Sequence, residues 1–366
     1  MKLTLKTEKL KEMVSRAVKG VGNNKLIPLT SLMAIELKDN TLTLITTDAT
    51  NYLYISEEKI VGEDFYVVVD ANVFSKLISK MTCENINLEI KSDLRYLEVK
   101  GNGTYRIELP LDENGEYIKY PDPLVKLNLS DAEETVINRT TIQVILETIK
   151  PALAVTLENP CYTGYYVGDN VVATDTYKIA SMGVKLFDTP KLISAELFDL
   201  LAVIKSEKIT VDSVGNDIVF STPDCSVVGK LMEGLDDFAI EPIMELVNTE
   251  FGSCCSVPKS ALLQLLDRVS LFVGTYDKNA INLTFTQTGL QVSSKAASGV
   301  EIINYVTSSD FTEYTCPVDI QMLVNEVKAV SNDIIEIHYG EDNAIKLTDG
   351  NITIIIALLE DEDMTE

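Results

Sequence analysis

The stretch Val67-Val68-Val69-Asp70-Ala71-Asn72-Val73-Phe74-Ser75-Lys76-Leu77-Ile78 reads as a strand, a polar cap and an amphipathic helix in succession. Three consecutive valines favour extended backbone. Asp70 is a residue type that caps helix N-termini, and Phe74, Leu77 and Ile78 repeat at helical spacing. The same design returns at Leu192-Ile193-Ser194-Ala195-Glu196-Leu197-Phe198-Asp199-Leu200-Leu201 and again at Cys316-Pro317-Val318-Asp319-Ile320-Gln321-Met322-Leu323-Val324. Phe74, Phe198 and Met322 stand 124 residues apart in both intervals.

The segments that follow each helix match as well. After the first come Ile86–Ile90, Tyr96–Lys100 and Tyr105–Leu109, with turns at Ser92-Asp93 and Gly101-Asn102-Gly103. After the second come Ile209–Asp212, Ile218–Ser221 and Ser226–Leu231, and after the third Ile334–Tyr339, Ala344–Thr348 and Ile352–Leu358. Short β-branched runs alternating with Gly, Asn and Asp are the pattern of antiparallel meanders. An earlier half-unit precedes each of these. Leu10, Met13, Val14, Ala17 and Val18 form one helical stripe, Ile142, Ile145, Leu146 and Ile149 a second that Pro151 limits, and Leu262, Leu263, Leu266, Val269 and Phe272 a third. The chain is therefore read as β-α-β-β-β written six times, two copies to a domain. The expected class is α+β, with helices on one face of antiparallel sheets. Breakers at Tyr120-Pro121-Asp122-Pro123 and from Gly234 to Glu250 set the expected domains at 1–121, 122–245 and 246–366.

Composition excludes several classes. The 366 residues are 46% hydrophobic and 24% charged, ample for several cores. A formal net charge of −25 argues against tight nucleic-acid or anionic-membrane binding over the general surface, but not against a local basic face. A single histidine, His338, leaves little room for a catalytic imidazole or a multi-histidine metal site, so neither a metal nor an organic cofactor is expected. Cys83, Cys161, Cys225, Cys254, Cys255 and Cys316 have no C-x-x-C spacing and are expected to be reduced thiols in a cytoplasmic protein. No apolar run approaches the length of a membrane span, and the first residues lack the apolar segment of a signal peptide. Gly20-Val21-Gly22 has no Lys-Ser/Thr partner and is no phosphate loop. Asp48 and Asp175 both follow a threonine, and paired carboxylates can do acid–base work. Their comparable places in separate repeats favour a structural role in a turn, and no catalytic residue is assigned.

The six helical segments are near neutral or slightly basic, so almost all of the negative charge lies outside them. A helix-lined surface of that kind suits a polyanion. Together with the threefold order of paired units, the opening Met1-Lys2-Leu3-Thr4-Leu5, the loop Gly22–Pro28, the entry Leu231-Met232-Glu233-Gly234 and above all Val172-Ala173-Thr174-Asp175-Thr176-Tyr177-Lys178-Ile179-Ala180, the chain resembles the bacterial DNA polymerase III beta subunits, the sliding clamps. Members of that family usually carry a Thr-Asp-Gly-His-Arg-Leu-Ala-like run where this chain has Thr174–Ala180.

The resemblance implies a head-to-tail homodimer that closes around duplex DNA without sequence specificity and tethers DNA polymerase and a clamp loader through short linear motifs. It implies a DNA channel, for which Lys9, Lys11, Arg16, Lys19, Lys76, Lys80, Arg139, Lys150 and Arg268 on helices and Lys25 on a loop are the candidates. A ring threaded by DNA needs few strong phosphate contacts, and many would add salt dependence. It implies a partner-peptide groove at Tyr162, Thr174, Thr176, Tyr177, Lys178, Ile179, Ile356, Ala357 and Leu358, with Ile179, Ile356 and Leu358 giving apolar area and Thr174 and Lys178 orientation. For the dimer contact it points to Ile107, Leu271 and Phe272. The chain departs from the family pattern with Thr176, Tyr177 and Lys178 for Gly, His and Arg, and with Asp237 and Ala357 for Pro. It also has an acidic tail, Glu360–Glu366, read as a solvated end or as a cover for the groove. A repeat-built peptide-binding adaptor that does not enclose DNA remains the alternative.

Overall fold

The computed structural model describes residues 2–22, 24–91, 95–129, 132–274, 279–295, 298–307, 313–340 and 343–359. The turn residues Ser92, Asp93, Glu341 and Asp342 and the tail Glu360–Glu366 lie outside them. Six copies of β-α-β-β-β follow one another, as the repeat reading requires. The first is β1 (Lys2–Lys6), α1 (Thr7–Ala17), β2 (Leu32–Lys38), β3 (Thr41–Thr47) and β4 (Tyr52–Glu57), and the second β5 (Phe65–Asp70), α2 (Ala71–Lys80), β6 (Asn85–Lys91), β7 (Tyr96–Lys100) and β8 (Thr104–Glu108). After the short helix α3 (Pro123–Lys126), the third is β9 (Glu133–Asn138), α4 (Arg139–Val144), β10 (Gly164–Val167), β11 (Val171–Thr174) and β12 (Lys178–Met182). The fourth is β13 (Lys191–Ser194), α5 (Ala195–Leu201), β14 (Lys208–Val214), β15 (Asp217–Thr222) and β16 (Cys225–Lys230), followed by a helix α6 (Ile240–Asn248). The fifth is β17 (Ser253–Pro258), α7 (Lys259–Ser270), β18 (Ala280–Phe285), β19 (Leu290–Ser294) and β20 (Val300–Ile303), with a two-residue strand β21 (Val306–Thr307). The last is β22 (Tyr314–Asp319), α8 (Ile320–Ala329), β23 (Ile334–Tyr339), β24 (Ala344–Asp349) and β25 (Ile352–Ala357).

Local chemistry accounts for the helix starts. The Asp70 carboxylate accepts from Val73 N at 2.7 Å, and Asp319 accepts from Gln321 N and Met322 N at 2.7 and 3.1 Å. These contacts satisfy orphan donors of the first turn. Pro151 ends the third copy's helix, which widens to a π turn over Ile145–Ile149 and tightens to a 3-10 turn at Lys150–Ala152. In α7 the buried stripe is Leu262, Leu265, Leu266 and Val269. Leu263 is half-buried and Phe272 exposed, contrary to the stripe expected from the sequence.

The chain packs as two compact units, one of Met1–Ile142 with Glu196–Leu231 and the other of Gln143–Ala195 with Met232–Glu366. The first unit holds an eight-stranded antiparallel sheet, β5-β2-β3-β4-β16-β15-β14-β9, and a four-stranded one, β1-β6-β7-β8. The second holds β13-β10-β11-β12-β25-β24-β23-β17-β21 and β20-β19-β18-β22. In each unit a strand from one end of a repeat joins a strand from the next. Tyr52 to Ile55 of β4 pair with Val228 to Cys225 of β16, and Lys178 to Met182 of β12 pair with Ile356 to Ile352 of β25.

Helices cover one face of these sheets, and the connecting segments cover part of the other. In the first unit Tyr120, Ile118, Leu124 and Leu127 pack on Leu32, Ala34, Ile45, Tyr54, Val68, Val219 and Val228. In the second, Phe238, Ile243 and Val247 pack on Val172, Ile179, Leu192, Ala344 and Ile355. Phe238 is nearly inaccessible, and burying a large aromatic side chain contributes several kcal/mol. Phe238→Ala is expected to cost about 3–5 kcal/mol of unfolding free energy in denaturant titration; a loss below about 1 kcal/mol would contradict this packing.

Candidate functional site

The Thr174–Lys178 segment makes the sharp connection between β11 and β12. Thr174 Oγ1 donates to Lys178 O at 2.7 Å and accepts from Thr176 N at 3.0 Å. Asp175 Oδ1 accepts from Tyr177 N and Lys178 N at 3.0 and 2.9 Å. The same contacts recur in the first unit. There Thr47 Oγ1 donates to Asn51 O at 2.7 Å and accepts from Ala49 N at 3.0 Å, while Asp48 Oδ1 accepts from Thr50 N and Asn51 N at 2.9 and 2.7 Å. Both acids are thus committed to backbone amides of a turn, the role weighed above catalysis from the sequence. The middle residue has positive φ in both, +89° at Ala49 and +78° at Thr176. Only glycine takes that conformation without cost, which explains why a glycine suits position 176. Thr176→Gly and Ala49→Gly are each expected to raise unfolding free energy by about 1 kcal/mol, read as a higher denaturant midpoint; a lower midpoint at both would contradict the strain.

Around this turn the second unit builds a buried apolar cluster. On the outer face of the β12–β25 joint, Ile179 stands opposite Ile355, with Val172 and Ala344 beside them. Helix α6 lays Ile243 and Val247 over them, and Tyr162 and Tyr166 lie 5.2 and 5.4 Å, centroid to centroid, from the Phe238 ring. Half-buried Ile240 and Met244 pack against the cluster, and the exposed Thr176 and Tyr177 lie in the turn that leads into Ile179. Ala357 N donates to Tyr177 O at 2.9 Å, so the end of β25 is fastened to the turn, and half-buried Leu358 follows, its N–H on Asn343 O. Tyr162, Thr176, Tyr177, Ile179, Ala357 and Leu358 are therefore gathered here.

Three expected groove residues are not available in the way the sequence suggested. Ile356 pairs with Lys178, and alternation puts both on the opposite, helix-covered face, where Ile356 is fully buried. Ile355 instead shares the outer face with Ile179, and it too is buried. The Lys178 ammonium turns inward to Glu326 at 3.2 Å and cannot orient a ligand at the surface. The Thr174 hydroxyl is spent inside the turn. Reading the sequence missed Phe238 and α6, although Ile240, Ile243, Met244 and Val247 carry the i, i+3, i+4, i+7 spacing within the segment read as a linker.

The expected cationic face is only partly free. In the first unit a groove of about 740 Å3 runs between α1 and α2, lined by Lys11, Lys19 and Lys76 with Glu8 and Glu12. A neighbouring hollow of about 660 Å3 between α1 and α5 holds Lys19, Arg139 and Lys205 with Asp48, Glu196 and Asp199. Lys19, Lys25, Lys76 and Lys80 are exposed, and Lys11, Arg139 and Lys150 half-buried. Arg16 is not a surface cation. It is buried, donating to Val203 O at 3.0 Å and to Asp224 Oδ2 at 2.7 Å. Burial by itself would raise the Asp224 carboxyl, but the Arg16 hydrogen bond and charge outweigh it and hold the group below the usual aspartate range. Lys9 is engaged by Glu57 at 2.6 Å, and Arg268 by Glu301 through its Nε at 2.9 Å.

Of the interface candidates, Leu271 and Phe272 are 81% and 53% exposed at the end of α7. Ile107 does lie on the edge strand β8, but its side chain turns into the core. Tyr105 is the exposed apolar residue of that strand. All six cysteines are free thiols, and burial pushes those of Cys225, Cys255 and Cys316 up to about 12. Among the described residues no helix is long and apolar enough to cross a membrane.

An antiparallel, six-copy β-α-β-β-β chain with one-sided helices has the architecture of the DNA clamps. Residues 1–121 match the family model of the DNA polymerase III beta subunit, N-terminal domain. A beta sliding clamp of Staphylococcus epidermidis is 20% identical over 361 residues, covering 93% of each chain. DNA polymerase III subunit beta of Borrelia burgdorferi superposes with a TM-score of 0.84 at 17% identity over 98% of this chain and 99% of that one. The DNA polymerase sliding clamp of Bacillus subtilis gives 0.82 at 17% identity over the same shares. The match to the DNA polymerase III beta subunit model is confined to residues 1–121, and along its length the chain shares the fold of these solved beta subunits and sliding clamps.

Proposed function

We propose that the chain is a sliding clamp, a non-catalytic accessory subunit that encircles duplex DNA as a head-to-tail homodimer in the cytoplasm and tethers DNA polymerase and its loader through short peptides. Three domains, 1–121, 122–245 and 246–366, are the repeats of this ring. The observation that carries the reading is the pattern of strand joints. Within the chain, the third meander strand of an odd-numbered copy pairs with the last strand of an even-numbered one, at β4–β16 and at β12–β25. Two strands of these same kinds, β20 and β8, are left as sheet edges. An edge strand presents unpaired N–H and C=O groups, and a second copy of the chain satisfies both edges at once.

The two internal joints share one register, with Ser181 opposite Thr353 and Tyr54 opposite Ser226. Carried to the third joint by the same pairings, it sets Val300 against Thr104 of the partner subunit and Gly299 against Tyr105 of the partner subunit. Phe272 covers Gly299 so closely that a Cβ there would come within 2.8 Å of its ring. The exposed Leu271, Phe272, Val300 and Ile302 are then buried in the contact, an economy that suits an obligate interface. Lys11, Lys19, Lys25, Lys76 and Lys80, with Arg139 and Lys150, are the cations that support a loosely held duplex. Apolar side chains of a polymerase or loader motif suit the cluster around Ile179, Ile355 and Tyr177.

In solution the 40.4 kDa chain is expected to weigh about twice that by light scattering, and Phe272→Arg to reduce it to a monomer with an unchanged circular-dichroism spectrum. A wild-type chain that stays monomeric at micromolar concentration would count against the ring.

A further inference from the structure

Beneath the apolar cluster, on the helix-covered face of the same strands, lies a charged pair. Lys178, the first residue of β12, is almost wholly buried, and its ammonium donates to Pro151 O and stands 3.2 Å from Glu326 Oε1 and 3.9 Å from Asp175 Oδ2. Glu326 is fully buried on α8, on the helix face that carries Leu323 and Val327. Among the described residues Lys178 is the cation that forms an ion pair with it, and neither carboxylate oxygen has a hydrogen-bond partner. Burial pushes the Glu326 carboxyl up while Lys178 pulls against that shift. An apolar side chain at this point of the core would spare the desolvation of two charges, and buried ion pairs of this sort are weak devices for stability. Fixing one conformation is the use that remains.

The conformation in question is that of the groove border. Lys178 is both the cation of the buried pair and the last residue of the turn. Its N–H is held by Asp175, its C=O by Thr174, and its side chain by Glu326 from the third repeat. Between these anchors sit Thr176, at φ +78°, and Tyr177, 63% exposed, whose carbonyl receives Ala357 N. A turn with a strained residue at its centre keeps its shape only if its surroundings over-determine it.

We propose that Glu326 is a positioning residue for the partner groove: through Lys178 it fixes the Thr174–Lys178 turn, so that Thr176 and Tyr177 stand as the groove's border and the groove of the central repeat is keyed to a helix of the third. The inference rests on the partner-groove reading. It assigns a role in peptide recognition to a fully buried residue.

The test compares the full-length wild type with Glu326→Gln and with the apolar pair Lys178→Met/Glu326→Leu, which leaves no lone buried charge. Two quantities are read: amide hydrogen exchange at Tyr177 and Lys178 without ligand, and binding of a fluorescein-labelled nonapeptide with Leu and Phe among its last four residues. Exchange at both amides should quicken at least tenfold in both variants and the peptide Kd rise at least tenfold. The apolar pair should keep the wild-type melting temperature and solution mass. Wild-type protection and wild-type affinity in the apolar pair would overturn the proposal, because the charges would then be merely structural. A wild type that binds no such peptide, with exchange still quickened in the variants, would overturn the groove reading and the positioning role with it, while leaving the turn's dependence on Glu326 visible.

Discussion

The β4–β16 and β12–β25 joints are the interactions on which the rest of this structure depends. A four-stranded sheet with helices on one side exposes an edge wherever its last strand ends, and backbone groups at that edge must find partners. Here the edges of successive repeats satisfy one another in the same register, Tyr52 against Val228 and Ile179 against Ile355. That shared geometry fixes where the connecting segments can lie, hence where Tyr120 and Phe238 are buried. The same requirement applied to β8 and β20 turns a chain of repeats into a proposed ring.

The charge distribution follows from this arrangement. Helix faces that would meet a duplex carry lysines on an otherwise acidic chain, and two of the cations that looked free in sequence are held inside the protein. Arg16 binds Asp224 and Val203 O within the first unit, and Lys178 binds Glu326 within the second. What is left for the proposed duplex is a sparse set of exposed lysines with half-buried Lys11, Arg139 and Lys150. A topological ring requires little more, since it retains its DNA by enclosure and long-range attraction only centres it.

Most of the architecture was legible because each copy states its own local rules. Asp70 and Asp319 announce helix starts, the meanders are punctuated by Asn, Asp and Gly, and the 124-residue interval repeats. What was not legible has particular causes. Ile354, Ile355 and Ile356 are identical, and a strand covered on both faces shows no alternation, so the sequence could not say which isoleucine faces outward. Helix α6 hid behind Gly234, Asp236, Asp237 and Pro242, breaker types that masked its apolar period. The inward course of Arg16 and Lys178 depends on Asp224 and Glu326, each well over a hundred residues away in the sequence. Family resemblance located the Thr174–Lys178 turn. Only its geometry shows why Thr176 is strained and why Asp175 is structural.

The central claim is enclosure of DNA, and its most direct measurement is retention on a nicked circular plasmid in high salt, before and after one double-strand cut. Protein that stays on the circle and is lost within minutes of linearisation is the expected result. Equal retention on circular and linear DNA, or none on either after loading by the cognate loader, would contradict the account.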